Sequence, residues 1–358
     1  MLALAACQTR APLRPLPGDV ADRPAGAKHE VALIVPLSGE DGPIGTSISN
    51  AAKLALLDTA NQTIDLNIYD SRQGGAAAAA SRAIAEGNRL ILGPLLSEEV
   101  LAMAPVARRA RVPVIAFSND ESVAGNGVYI LGFTPRQSIA RVVDHAAARG
   151  AKRFAALVPT GVYGQRATQA LMGSLQASSA TLGAVETFSR NAASVRTAAN
   201  ALNAKGNFDA ILIADSGRTA AQAAGAIRAG PRLLGTELWA NERALGTTPR
   251  MRGSWFAAAP DARFDQLVTR YRARYGKTPY RLGSLGYDAV LLTVRAARGW
   301  PVGRPFPQRV LTEKEGFAGV DGIFRFRRDG VAERALEVRE VTATGTRVVS
   351  PAITAFAD

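Results

Sequence analysis

Short apolar blocks alternate along this chain with longer stretches in which apolar residues recur at three- and four-residue intervals. The run Leu90–Asn119 shows the unit most plainly. Leu90–Leu92 reads as a buried strand that Gly93-Pro94 ends. Ser97 is placed to cap a helix, with Glu98 and Glu99 in its first turn, where the positive end of the helix dipole favours carboxylates. Val100, Leu101, Ala104 and Ala107 then keep helical spacing, and Pro105 inside that pattern predicts a kink or a restart. Val112–Phe117 is a second strand, closed by Ser118-Asn119-Asp120.

The same unit repeats on both sides. Val31–Pro36, Ile64–Tyr69 and Val128–Leu131 read as strands, with helices over Ile44–Thr59 and Gly75–Glu86. After a crossover at Gly132–Pro135, helices are expected over Gln137–Arg149, Arg166–Gln176, Ser194–Ala204 and Ala220–Ala229. They are interleaved with strands Arg153–Val158, Gly183–Phe188, Phe208–Ala214, Arg232–Gly235 and Trp255–Ala258. Arg263–Tyr275 and Ser284–Arg298 are helical; beyond Gly299 the pattern predicts short strands at Val310–Leu311, Gly322–Phe326 and Ala335–Val341. Alternation on this scale predicts an α/β protein with mainly parallel sheets flanked by helices. The two similar halves suggest two lobes with a cleft between them. Ligands in such sheets sit beyond the carboxyl ends of strands, which directs attention to the polar loops there.

Composition adds limits rather than identity. The chain has 358 residues, 47% hydrophobic and 20% charged, enough for two ordinary domains. Its net charge of +13 comes from dispersed arginines, with no basic stripe interleaved with aromatics, so nucleic-acid binding is not expected. The single cysteine, Cys7, excludes an internal disulfide and a cysteine metal site. His29 and His145 have no partner at ligand spacing, and neither a metal nor a cofactor is expected. No P-loop, H-E-x-x-H or G-x-S-x-G motif occurs, and Gly39, Gly42 and Gly45 are spaced wrongly for a dinucleotide fingerprint. The chain does not read as an enzyme.

The first residues, MLALAAC, resemble the lipobox of bacterial lipoproteins, which implies lipid attachment at Cys7. A Pro-rich run, Thr9 to Lys28, follows as an extended tether. No apolar stretch approaches the ~20 residues that span a bilayer, so membrane association is expected through the lipid anchor only. Gln8 follows the cysteine. By analogy with enteric sorting rules, the absence of Asp there favours the periplasmic face of the outer membrane as the expected location.

Five phrases carry a family resemblance: VALIVPLSG (Val31–Gly39), ILGPLLS (Ile91–Ser97), VPVIAFSND (Val112–Asp120), VYGQ (Val162–Gln165) and YDAVLL (Tyr287–Leu292). Across Val31 to Ala357 the sequence resembles the type I periplasmic-binding fold of leucine/isoleucine/valine-binding proteins. Within it, the sequence is most similar to the lipoprotein activators of penicillin-binding proteins. The resemblance implies two lobes joined by three crossovers: residues 31–132 plus 259–299 as lobe one, 133–258 plus 300–358 as lobe two, and residues 1–30 as lipobox and tether. It implies a non-enzymatic lipoprotein whose partner is a bifunctional peptidoglycan synthase. Enteric activators also carry an N-terminal helical-repeat domain, for which no room is expected before Val31. It further implies a cleft for a small molecule, with Ser38, Gly39, Ser97, Phe117, Ser118 and Asn119 contributed by lobe one and Tyr163, Asp215 and Ser216 by lobe two. Asp215 and Ser216 stand where amino-acid binders commonly place an aromatic. A solute receptor serving an importer is the alternative.

Overall fold

The computed structural model describes residues 27–242 and 244–356. Cys7 and the Pro-rich run up to residue 26 lie outside the described residues. The chain opens as β1 (His29–Val35), α1 (Gly42–Asp58), β2 (Ile64–Asp70), α2 (Ala76–Ala85), β3 (Leu90–Leu92), α3 (Ser97–Ala110), β4 (Val114–Ala116) and β5 (Val128–Ile130). These strands form a five-stranded, wholly parallel sheet in the order β2-β1-β3-β4-β5. Alternate residues of β1 serve opposite faces. Val31, Leu33 and Val35 pack with α1, whereas Ala32 and Ile34 pack with α2 and α3. A strand covered by helices on both faces must be apolar where it is covered, which is why β1 is a continuous hydrophobic run from Val31 to Val35.

The chain then crosses to α4 (Pro135–Ala147), β6 (Arg153–Pro159), α5 (Val162–Ser178), β7 (Thr181–Phe188), α6 (Ala192–Ala204), β8 (Ala210–Ile213), α7 (Gly217–Ala224), β9 (Arg232–Gly235) and β10 (Trp255–Ala258). It crosses back for α8 (Ala262–Tyr275), α9 (Gly283–Ala297), β11 (Phe317–Gly319), β12 (Gly322–Phe326) and β13 (Ala332–Arg334). A third crossing leads to β14 (Glu337–Val341) and β15 (Thr346–Ser350). The second sheet has seven strands, β15-β14-β10-β9-β8-β6-β7; β14 runs antiparallel to both its neighbours, β10 and β15, and the other pairings are parallel. β11, β12 and β13 make a separate three-stranded antiparallel sheet.

In both lobes a helix descends directly onto the end of the strand before it. A Cβ on Gly45 of α1 would sit 1.7 Å from the Pro36 carbonyl oxygen, and one on Gly164 of α5 would sit 1.8 Å from that of Pro159. Only glycine allows this approach.

Several expectations need correction. The segment after α9 packs with lobe one, not lobe two: Trp300, Phe306, Leu311, Phe317, Phe324 and Phe326 join the core built by β1, α1 and α9. These aromatics need an apolar surface, and α9 supplies it. By packing, the change of lobe falls at the third crossing, near Ala335, rather than at residue 300. Val310–Leu311 is no strand; it lies in the 3-10 turn Gln308–Thr312, with Leu311 inserted into that core. Ser97 is the first helical residue of α3, whose cap is Leu96, without a side-chain cap bond. Pro105 does not interrupt α3. The carbonyl it leaves unpaired belongs to Leu101, which is 62% exposed, so water can serve it.

Candidate functional site

The three crossings run side by side, and arginines tie them together. Arg334 Nη2 donates to the Leu131 carbonyl at 2.5 Å. Arg339 donates to the Ala259 carbonyl at 2.7 Å and pairs with both Asp261 and Glu337. Arg281, from the loop before α9, reaches Asp261 at 2.6 Å and Asp321 at 2.7 Å. Burial opposes ionisation of Asp261, but Arg339 and Arg281 overcome it and hold its carboxyl below the usual range. Behind them Asp288, 1% exposed, takes the Val320 amide at 2.7 Å. Burial and the neighbouring Asp321 raise its pKa to about 7, with Arg334 acting in the opposite direction.

Above this hinge lies a cleft of about 330 Å³. Leu95, Leu96 and Phe117 line it from lobe one, Glu237, Leu238 and Asn241 from lobe two, and Phe133 and Ala259 from the crossings. Its walls are largely apolar, with a few polar groups at the margin. Glu237 accepts a short hydrogen bond from Ser138 Oγ; burial raises its pKa, which that bond partly offsets. Such a pocket suits a small, mostly apolar solute bearing one or two polar groups.

Of the candidates named from sequence, the structure places Phe117 and Asn119 on this lining. The others are occupied elsewhere. Ser38 is exposed and its Oγ donates to Asp70 Oδ2 at 2.9 Å, fixing the loop after β1. Gly39 is exposed, with φ of +73°. Ser97 lies at the start of α3, half-buried and off the lining. Ser118 is buried, its Oγ accepting the Asp120 amide at 3.1 Å. Tyr163 places its hydroxyl 3.5 Å from Thr236 Oγ1; burial, then the nearby Glu237, push its pKa far up. Asp215 is held by Arg190 at 2.8 Å and accepts from the Ser216 amide and the Thr219 hydroxyl, while Ser216 caps α7.

Glu237, Leu238 and Asn241 were not singled out from sequence, although they follow the carboxyl end of β9 and obey the strand-end rule. Arg281 and Leu282, also on the lining, precede a helix rather than follow a strand, and no periodicity marks them.

Two ion pairs bridge the lobes beside the cleft. Arg166 of α5 meets Asp120 at 2.6 Å, and Arg136 of α4 meets Glu121 at 2.7 Å. Burial of Asp120 works against its charge, but hydrogen bonds from Ser122 and the Arg166 guanidinium keep its pKa low. The two histidines are packing residues. His29 begins β1 and stacks on Trp300 at 4.1 Å; His145 meets Trp255 edge-on at 4.8 Å. Among the described residues, no cluster of His, Cys, Asp or Glu could hold a metal ion, and no helix is long and apolar enough to cross a membrane.

Two lobes of mainly parallel sheet, three crossings and a cleft at the hinge define a type I two-lobed binding protein. The chain belongs to the periplasmic binding protein family, whose profile matches residues 28–346. Among curated proteins it is 26% identical over 144 residues to the penicillin-binding protein activator LpoA of Photobacterium profundum, covering 39% of this chain and 23% of that protein. The curated relatives it matches are spanned over half their length or less. Among solved structures, the leucine-binding protein LivK of Thermotoga maritima superposes with a TM-score of 0.66 at 22% identity, covering 90% of this chain and 98% of that one. Full-length LpoA of Haemophilus influenzae superposes with a TM-score of 0.70 at 18% identity, covering 91% of this chain and 59% of that one. At these identities the structural likeness speaks for the fold alone.

Proposed function

We propose that this protein is a periplasmic lipoprotein, held at the outer membrane through Cys7, that binds a bifunctional penicillin-binding protein and stimulates its peptidoglycan synthesis without catalysing a reaction itself. The observation that carries this reading is the sequence similarity to LpoA activators of two species, 26% identical over 144 and 149 residues. The internal commitments of the candidate cleft residues support it. Asp215, Ser216 and Tyr163 bond to their own lobe rather than facing the cleft as free ligand groups. Pull-down and glycan-polymerisation assays with the cell's bifunctional synthase test it. Binding with faster polymerisation is the expected result; neither binding nor stimulation refutes it.

One observation favours a second reading, a solute receptor for an importer. The cleft encloses about 330 Å³ lined by Phe117, Asn119 and Glu237, so it has room for a small amphipathic solute. A thermal-shift screen of amino acids, amides and small aromatic acids separates the two. A stabilising hit without synthase stimulation favours the receptor.

A further inference from the structure

The end of lobe one opposite the cleft collects unpartnered cations. In parallel βα units the helices run back against the strands, so α3 ends where β3 and β4 begin. The amide of Arg89 bonds to Glu30 of β1 and that of Ile91 to Pro113, which sets Arg89 beside the turn carrying Arg108, Arg109 and Arg111. On the other face of the sheet, Trp300 stacks on His29 at the start of β1, bringing Arg298 and Arg304 to the same end. All six arginines are exposed, and among the described residues no ion pair or hydrogen bond engages their guanidinium groups. The acidic groups here are fewer and displaced toward β2: Glu30 accepts from Asn67, Glu86 from Tyr69, and Asp65 has no ion pair among the described residues.

Two of these arginines have a local role. Arg108 and Arg109 complement the negative end of α3. That account does not cover Arg89 at a strand start, nor Arg111, which holds a left-handed conformation at φ +56° where glycine is more stable. Position supplies the second argument. Lys28 leads into β1 at this same end, so the 26 residues that precede the described ones join the body here.

We propose that the arginine end of lobe one rests on an anionic phospholipid surface, its guanidiniums pairing with phosphate headgroups and orienting the cleft away from the membrane. The proposal rests on the lipid-anchored reading for its setting but not for its chemistry. Guanidinium geometry matches phosphate bidentately, and basic groups within a Debye length of such a surface add to binding.

The test uses the full chain carrying Cys7→Ser, so that no acyl chain contributes. Co-sedimentation is measured with vesicles of phosphatidylglycerol and phosphatidylcholine, and with phosphatidylcholine alone. Binding is expected only to the anionic vesicles, with loss at high salt. The double change Arg108→Glu, Arg109→Glu should weaken partitioning by about tenfold or more, and Arg89→Glu, away from the α3 terminus, should weaken it too. A charge-matched control on lobe two, Arg196→Glu with Arg218→Glu, should change it less than about twofold. Thermal melts confirm that each variant is folded. Absence of binding to anionic vesicles, equal loss in the control, or binding to isolated peptidoglycan but not to vesicles overturns the proposal. Synthase stimulation is read in a separate assay, so failure of either idea is recognisable without the other.

Discussion

Replacing Asp288 by Asn should stabilise the protein above neutral pH and not below it. Asp288 is 1% exposed; one oxygen accepts the Val320 amide and the other has no partner. The facing Asp321 is fully buried and also has one unpartnered oxygen. Two carboxylates in one dry site repel, and burial with that repulsion lifts Asp288 from 3.8 to about 7. The folded pKa is raised, so the folded state holds this proton more tightly than the unfolded chain does. The stability it lends is complete below about pH 4 and is lost as pH rises toward 7. At ~1.4 kcal/mol per pKa unit the full swing is on the order of 4 kcal/mol, and sharing with Asp321 and Arg334 brings the expected effect to about 2–3 kcal/mol. Asn keeps the acceptor for Val320, adds N–H donors beside Asp321 and does not titrate. Urea unfolding at pH 5, 6.5 and 8 should show the variant gaining on the native protein at each step. A stability difference independent of pH, or a loss at pH 8 as large as at pH 5, would refute the reasoning.

Three further outcomes test other parts of the structure. Gly45→Ala forces a methyl into the Pro36 carbonyl and should cost about 2–4 kcal/mol, whereas Gly173→Ala, in α5 with open space around it, should gain about 0.5–1 kcal/mol; thermal melts of the pair check both. Arg111→Gly relieves the left-handed C-cap of α3 and should raise stability by about 0.5–1 kcal/mol by urea titration. His145 has its pKa lowered to about 4 by burial, with Arg149 and Arg141 adding to it. The stability it contributes is present above pH 6.5 and lost as pH falls toward 4, so His145→Gln should flatten that acid limb of the melting profile.

The elements most legible in sequence are those whose local pattern and final environment agree. β1 from Val31, β6 from Phe154 and all of β8 are apolar because helices cover both faces, and their blocks are plain in the chain. β11, β13 and β15 were not anticipated. They are three to five residues long, two of the three carry arginine, and each exists only because a partner strand lies beside it. The return of residues 300–334 to lobe one is equally non-local, decided by whether α9 or the second sheet offers a surface for Trp300 and Phe317. In the cleft, the strand-end rule leads to Phe117 and Asn119 and would have led to Glu237. It overreaches at Asp215, because the claim on that carboxylate comes from Arg190, twenty-five residues earlier.

The bridging ion pairs bear on whether cleft and partner are separate matters. Arg136 is 45% exposed on its side chain, so its pair with Glu121 is screened and contributes well under about 1 kcal/mol. Arg166 and Asp120, at 30% and 6%, hold more firmly, yet the two pairs together are a light restraint on two lobes. A solute with different affinity for the open and closed forms of such a two-lobed body can set their balance. If the synthase recognises one of those forms, linkage requires solute and synthase to change each other's affinity by the same factor. Measuring the affinity of any solute found by thermal shift, with and without saturating synthase, decides this. An equal change in both directions makes the cleft a regulator of the partner contact, and unchanged affinities make the two functions independent.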